Sequence, residues 1–156
     1  MYQGCQLSIR DHSGSVSNTI TLPTFVYGDS IDDVCSHPDI NIPLGECQAL
    51  ANFYTGMDGV NWTYDSSWFT DIDVDNWYGV SLTGSGLTKN VYGVSLPNNN
   101  IAGNLLGDLF TDIPNLSTLN LGNNEITTIS SDIEFASSLK TLILYQNDIL
   151  TIPVEI

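Results

Sequence analysis

Three segments of the chain repeat one pattern of eleven residues, and this repeat constrains the fold more than any other feature. They are VYGVSLPNNNI from Val91, LSTLNLGNNEI from Leu116 and LKTLILYQNDI from Leu139. Apolar residues occupy positions 1, 4, 6 and 11 of each segment, whereas position 9 is always asparagine. A helix would space its apolar residues by three and four, and a simple strand would alternate throughout. The pattern therefore predicts a short strand followed by a bend.

The segments begin at residues 91, 116 and 139, which are 25 and 23 residues apart. Units of this length stack as coils, because one coil cannot cover its own apolar face. Positions 4 and 6 are expected to point inward from parallel strands, and position 11 to return to the core. Asn99, Asn124 and Asn147 are expected to satisfy backbone groups of the bends. Between the strands, an outer arc is predicted to bury Leu105, Leu109, Ile113, Ile129, Ile133 and Phe135.

This pattern resembles the leucine-rich repeat. The resemblance implies an α/β repeat solenoid, in which parallel strands line an arc and the ends require caps. The last repeat stops at TIPVEI, midway through its outer arc, so further repeats are expected beyond Ile156.

The segment before the repeats has the features of a cap. ECQALANFYTG places Cys47, Leu50, Ala51 and Tyr54 on one helical face, with Glu46 near the helix start. With the following tryptophans and WYGVSL, it resembles the N-terminal cap of plant-type and bacterial surface leucine-rich-repeat proteins. The resemblance implies a strand over residues 80–82 beside the first coil. Three tryptophans are expected to plug the end of the core as a structural lid, namely Trp62, Trp68 and Trp77.

The cap resemblance also implies a disulfide between Cys35 and Cys47. The alternative is a pair of buried free thiols. Cys5 would then either pair with a cysteine upstream of this sequence or serve as a small apolar strand residue.

The first residues predict a β-hairpin. CQLSIRDHSGSVSNTITLPTF contains two alternating stretches around a turn, and it resembles the closing hairpin of immunoglobulin-like domains in bacterial surface proteins. Ser15 departs from that pattern, which has asparagine there. Four segments follow: a truncated immunoglobulin-like β-hairpin (1–27), a linker (28–43), the N-terminal cap (44–90) and about three repeats (91–156).

The charge balance excludes two classes of partner. The chain has 3 Lys and Arg against 18 Asp and Glu, a formal charge of −15 and a pI near 4.1. Such a surface repels phosphate backbones and anionic lipids, so nucleic acid is excluded, and no apolar run suits direct membrane insertion. The scarcity of Lys and the three cysteines indicate an extracellular or cell-surface protein, with its secretion signal outside this sequence.

The sequence contains candidate residues for a metal site and for catalysis. Asp71, Asp73 and Asp75 alternate as in a calcium loop, but Asn76 and Leu82 stand where that loop requires glycine and glutamate, which favours a solvated turn and no metal. His37 follows Cys35 closely and His12 lies in a predicted turn, yet no acid, oxyanion donor or phosphate loop accompanies them. We therefore predict no enzyme activity and no cofactor.

Positions 2, 3, 5, 7 and 8 of each repeat are predicted to face the concave side, where they would bind a protein or a glycan. The alternative is a sheet face that is merely wetted by solvent. The predicted function is non-enzymatic extracellular recognition or adhesion; the rivals are a structural stalk that self-associates through the uncapped repeat end, and an accessory domain of a larger surface enzyme. The candidate binding residues are Tyr92, Ser95, Asn98, Ser117, Thr118, Asn120, Asn123, Lys140, Thr141, Ile143, Tyr145 and Gln146.

Overall fold

The computed structural model describes residues 6–10, 16–21, 31–86 and 89–154, the first two ranges by their backbone alone. Strand β1 (Gln6–Arg10) pairs antiparallel with strand β2 (Val16–Thr21), as expected of a hairpin. The resemblance to an immunoglobulin-like domain stays a prediction. The expectations for Cys5 and His12 lie outside the described residues.

The segment before the repeats, which we call the cap, contains two helices, α1 (Ile31–Cys35) and α2 (Leu44–Gly56). Two 3-10 turns follow at Gly59–Asn61 and Val74–Asn76. The disulfide implied by the cap resemblance is present between Cys35 and Cys47 and joins the two helices. Because Cys35 forms half of this bond, it has no free thiol that could act as a nucleophile near His37.

The segment predicted as a linker, residues 28–43, contains side chains that are buried in the core. Val34 and Ile42 are buried in the same core as helix α2. Asn41 is also buried, and its side-chain oxygen accepts a hydrogen bond from the Val74 N–H at 3.1 Å. The few apolar side chains here are separated by turn formers and follow no period, so pattern reading misses their burial.

A four-stranded sheet runs from the cap through all three repeats in the order β3-β4-β6-β8. The edge strand β3 (Val80–Thr83) is antiparallel to β4 (Asn90–Ser95), and it lies beside the first coil as predicted. Strands β6 (Thr118–Asn120) and β8 (Thr141–Ile143) continue in parallel. Position 4 is aligned across the three coils, since Val94 pairs with Leu119 and Leu119 pairs with Leu142. The predicted repeat register is confirmed.

The outer arc forms the opposite side of the core. Strands β5 (Ala102–Leu105) and β7 (Glu125–Ile129) pair in parallel, with helix α3 (Asp108–Thr111) and a 3-10 turn (Ser131–Phe135) after them. The predicted core residues of the arc are buried except Phe135, which is 57% exposed. That prediction is wrong because a 3-10 turn has three residues per turn, so Ile133 points inward and Phe135 does not.

The three tryptophans are buried in the cap. Trp62 packs against Phe53 of helix α2 with ring centroids 5.3 Å apart, and Trp77 packs against Phe69 at 4.5 Å. The indole N–H groups of Trp62, Trp68 and Trp77 all donate to backbone carbonyls, at 2.9, 2.8 and 2.8 Å. These bonds allow large rings to be buried without an unpaired donor.

Within the part of the chain that the structure describes, none of the helices has both the length and the apolar character needed to cross a bilayer.

Candidate functional site

The asparagines at position 9 hold the bends that follow the strands. Asn124 is buried, and its side-chain oxygen accepts hydrogen bonds from the backbone N–H groups of Asn99 (2.9 Å) and Ile101 (3.0 Å) in the preceding coil. Its side-chain amide donates to the carbonyls of Leu96 and Leu121, both at 2.9 Å. Asn124 therefore satisfies backbone groups in its own coil and in the preceding coil, which is the role predicted for it.

The other two asparagines extend the same arrangement. Asn147 accepts from the Ile126 N–H at 2.9 Å and donates to Leu121. Asn99 belongs to the first coil, and it bonds the cap instead: its oxygen accepts from the Tyr64 N–H at 2.6 Å and its amide donates to the Tyr64 carbonyl at 3.0 Å. One side-chain type thus connects the cap and the coils in series.

The strands present a solvent-facing surface, which we call the open sheet face and define by the twelve candidate binding residues. The strand register aligns two rows across it, Gly93 with Thr118 and Thr141, and Ser95 with Asn120 and Ile143. Eight members are exposed, and Ser117, Thr118, Asn120 and Ile143 are partly buried. The structure therefore brings the predicted residues together on one accessible surface.

Two details of this face were absent from the sequence prediction. Ser81 of strand β3 pairs with Gly93, so the antiparallel edge strand adds a hydroxyl to the first row. Gly122 is covered by the ring of Tyr145, since a Cβ added at that glycine would lie 2.7 Å from a ring carbon. The similarity of the Tyr78–Leu82 and Tyr92–Leu96 sequences was a signal for the position of Ser81. The contact between Tyr145 and Gly122 has no signal in the sequence.

Position 8 has an unusual backbone in all three coils. Asn98, Asn123 and Gln146 adopt left-handed conformations, with φ of 56°, 58° and 53°. Asparagine tolerates this region better than most residues, which accounts for its use at two of the three positions. The side chains of Asn98 and Asn123 hydrogen-bond to each other across the coils.

A buried carboxylate joins the cap to the first coil. Glu46 is 2% exposed, and its side chain accepts a hydrogen bond from the Val91 N–H at 2.6 Å. Burial raises the pKa of Glu46 above its ordinary value, and the bond from Val91 opposes this shift. Glu46 lies near the helix start as predicted from the sequence, but its burial was not predicted.

The alternating aspartates bind protein groups. Asp71 accepts from the Asp73 N–H at 2.9 Å and from the Asn76 side chain at 2.9 Å. Asp75 forms an ion pair with Lys89, which lowers the pKa of Asp75 and raises that of Lys89. Among the described residues there is no group of three His, Cys, Asp or Glu side chains placed to hold a metal ion.

Comparison with known proteins identifies the repeat segment. Residues 89–149 match the family model described as leucine rich repeat. No curated protein matches the sequence. A similar solved structure is the leucine-rich-repeat ectodomain of the receptor kinase SOBIR1 from Arabidopsis thaliana, with 17% identity, a TM-score of 0.51 and coverage of 69% of this chain and 56% of that one. A plant ice-binding protein gives 16% identity and a TM-score of 0.48 over 69% of this chain and 42% of its own.

The likeness to the receptor ectodomain concerns the fold, and the chain spans about half of that ectodomain. It agrees with the parallel arrangement of β4, β6 and β8. Residues 89–149 match the leucine-rich-repeat model, and within them the strands β4, β6 and β8 stack in one shared parallel sheet.

Proposed function

We propose that this chain is a non-enzymatic recognition segment that binds a protein partner through the open sheet face. The observation that carries the proposal is a contiguous, accessible and nearly uncharged surface on a protein of charge −15. Of the twelve residues that define the face, Lys140 alone carries a charge. A partner can therefore approach this face without meeting the repulsion that the rest of the protein exerts on acidic surfaces.

The side chains of the face suit protein contacts. Tyr92 and Tyr145 are 44% and 58% exposed, and tyrosine is enriched at protein interfaces because its ring is large, rigid and polar at one end. Around them, Ser95, Thr118 and Asn120 supply hydroxyl and amide groups for hydrogen bonds. The leucine-rich repeat itself supports a role in protein recognition.

We also propose an extracellular or cell-surface location. The disulfide between Cys35 and Cys47 supports it, because such bonds persist in oxidising compartments. The receptor ectodomain, which shares the fold, has the same kind of repeat. The proposed division into hairpin, cap and repeats follows the predicted boundaries, with the cap extended back to residue 31.

A peptide library displayed on phage and panned against the purified chain tests the proposal. Binders are compared on the unmodified chain, on Thr118→Arg in the centre of the face, and on Ser137→Arg as a control. Ser137 is exposed, follows the 3-10 turn of the outer arc and belongs to none of the described strands. We expect Thr118→Arg to weaken the selected peptides by about tenfold or more, which corresponds to about 1.4 kcal/mol.

Two results would refute the proposal. One is the recovery of no peptide that competes for the face. The other is a set of peptides that bind Thr118→Arg unchanged but lose affinity for Ser137→Arg. Circular dichroism of both variants establishes that the coils remain folded.

A second candidate function is self-association between copies of the chain through the edge strand β8. The supporting observation is an apolar cavity of about 400 Å³ beside the edge strand β8, whose lining includes Leu142, Leu144 and Ile149. Leu150 and Val154 next to it are 89% and 94% exposed. Exposed apolar surface of this kind marks an interaction site.

Sedimentation equilibrium measures this second function directly. Self-association beside strand β8 predicts concentration-dependent dimers that Leu150→Ser with Val154→Ser abolishes, whereas Phe135→Ser, at another exposed apolar residue, leaves them intact. A monomer at every concentration would exclude it.

A further inference from the structure

A polar groove of about 320 Å³ lies at the bends that follow strands β4 and β6. Its size is at the lower end of the range for ligand pockets, about 300–1,000 Å³. It contains no apolar side chain, which distinguishes it from the apolar cavity beside strand β8. We call it the amide groove and define it by its lining residues, Thr63, Asn98, Asn100, Asn123, Asn124 and Glu125.

The amide groove has a fixed backbone. Asn98, Asn100 and Asn123 are held in left-handed conformations with φ of 56°, 58° and 58°. Asn98 donates its N–H to the Gly122 carbonyl at 3.0 Å, and Asn123 donates to Tyr145 at 2.8 Å. Thr63 is attached by its N–H to the Asn99 carbonyl at 3.2 Å. A ligand would meet groups that are already ordered, which reduces the entropy cost of binding.

Several polar groups of the groove are not used within the described protein. The side-chain oxygen of Asn98 accepts from the Asn123 amide, and the Asn100 amide donates to the Asn61 carbonyl at 3.1 Å. Among the described residues, no partner meets the amide of Asn98, the oxygen of Asn123 or the hydroxyl of Thr63. The carboxylate of Glu125 likewise has no hydrogen-bond partner among the described residues. The groove therefore offers both donors and acceptors, with a single charge.

Two exposed tyrosines form a pair, and one of them is adjacent in sequence to a lining residue of the groove. Tyr64 directly follows Thr63, and its backbone is held by both polar atoms of the Asn99 side chain. Its ring lies 5.3 Å from that of Tyr78, and the two residues are 48% and 40% exposed. Partly exposed rings supply apolar surface next to polar groups.

From this arrangement we infer that the amide groove binds a neutral carbohydrate. Each sugar hydroxyl donates and accepts hydrogen bonds, as the mixed set of amide, hydroxyl and carboxylate groups requires. The C–H faces of a sugar ring suit the exposed tyrosines. The groove has no Lys or Arg among its lining residues, so a phosphorylated or sulfated ligand would lack a counter-charge. The inference goes beyond the proposed function by naming a second ligand class, although Asn98 and Asn123 belong to both surfaces.

Titration of the isotope-labelled chain with neutral trisaccharides tests the inference. Cellotriose, maltotriose and mannotriose serve as probes, and the readout is the NMR shift of the asparagine side-chain amides. Asn98→Gly and Asn123→Gly remove the amide while glycine keeps the left-handed backbone. Gln146→Gly is the matched control, because Gln146 has the same repeat position and a φ of 53° but lies outside the groove.

We expect at least one trisaccharide to shift the amides of Asn98 and Asn123. Its affinity should fall by about tenfold in each groove variant and in Tyr64→Ala, and should be unchanged in Gln146→Gly. Thermal unfolding of every variant separates loss of a contact from loss of the fold.

The inference is overturned if none of the three trisaccharides shifts these amides, or if Gln146→Gly weakens binding as much as the groove variants. Tighter binding of a galacturonic or glucosamine trisaccharide than of every neutral one would also overturn it. Failure of the sugar inference is distinguishable from failure of the proposed function. If only the sugar inference fails, peptides that depend on Thr118 still bind the chain. If only the peptide proposal fails, a trisaccharide still binds the amide groove.

Discussion

The side-chain oxygen of Asn124 lies 2.9 Å from the backbone nitrogen of Asn99, which belongs to the preceding coil. With its other bonds, to Ile101, Leu96 and Leu121, this side chain satisfies four backbone groups in a buried bend. A leucine at this position would continue the apolar pattern but leave those groups unpaired. The repeat therefore uses an amide where the core would otherwise accept an apolar residue.

Replacement of Asn124 by alanine should lower the free energy of unfolding by about 3 kcal/mol or more, since each unpaired buried group costs about 1–3 kcal/mol. Urea unfolding followed by tryptophan fluorescence measures the change. Asn115→Ala is the control, because Asn115 is exposed and should change stability by less than about 0.5 kcal/mol. Equal losses in the two variants would show that the amide of Asn124 has no special role.

Replacement of Glu46 by glutamine should stabilise the chain at pH 7. Glutamine keeps an oxygen to accept the Val91 N–H, and it removes the cost of a buried negative charge. Glu46→Ala provides the contrast, because it leaves the buried Val91 N–H unpaired at a cost of about 1–3 kcal/mol. Urea unfolding of both variants at pH 7 measures the difference, and a less stable Glu46→Gln would contradict the expectation.

The same carboxyl predicts a pH dependence. Burial raises the pKa of Glu46 in the folded chain above its ordinary value of 4.5, so the folded state retains this proton where the unfolded chain has lost it. Its contribution to stability is full below the ordinary pKa and is lost as pH rises through the folded pKa. Between those limits, the unmodified chain should lose stability relative to Glu46→Gln. A constant difference between the two across this window would refute the assignment.

Removal of the disulfide by the double change Cys35→Ser and Cys47→Ser should reduce the unfolding free energy by about 3 kcal/mol, as expected for closing a short loop. The bond joins residues 12 apart and anchors helix α1 to helix α2. Thermal unfolding with and without a reductant measures the effect. A reductant that destabilises the unmodified chain should leave the double variant unchanged, and sensitivity of the double variant would contradict this explanation.

The repeats were predictable because their information is periodic. Leu119 and Leu142 occupy the same position in segments that differ elsewhere, so their alignment on adjacent strands followed from spacing alone. The asparagine at position 9 of each repeat was predictable for the same reason, since a polar residue interrupts the apolar pattern at a fixed place.

The features that were missed depend on contacts between distant residues. Glu46 is buried because Val91, 45 residues later, supplies its hydrogen bond, and nothing near Glu46 in the sequence indicates this. Residues Val34 and Ile42 were assigned to a linker because two apolar side chains among turn formers show no period. The amide groove is formed by residues from two bends and from the cap, so composition alone does not reveal it.

Two glycines form a matched pair for the last prediction. Gly79 has a φ of +78°, and an added Cβ would lie 2.4 Å from the Ser95 carbonyl oxygen. This distance is too short for a side-chain carbon, so the two atoms would clash. Gly79→Ala should therefore destabilise the chain by about 2 kcal/mol through backbone strain and displacement of β4. Gly45 lies in helix α2 with open space around its Cβ, so Gly45→Ala should stabilise by about 0.5 kcal/mol, because alanine has less conformational freedom to lose on folding. We expect the urea midpoints of the two variants to shift in opposite directions. An unchanged midpoint for Gly79→Ala would contradict the close approach of Gly79 to the Ser95 carbonyl oxygen.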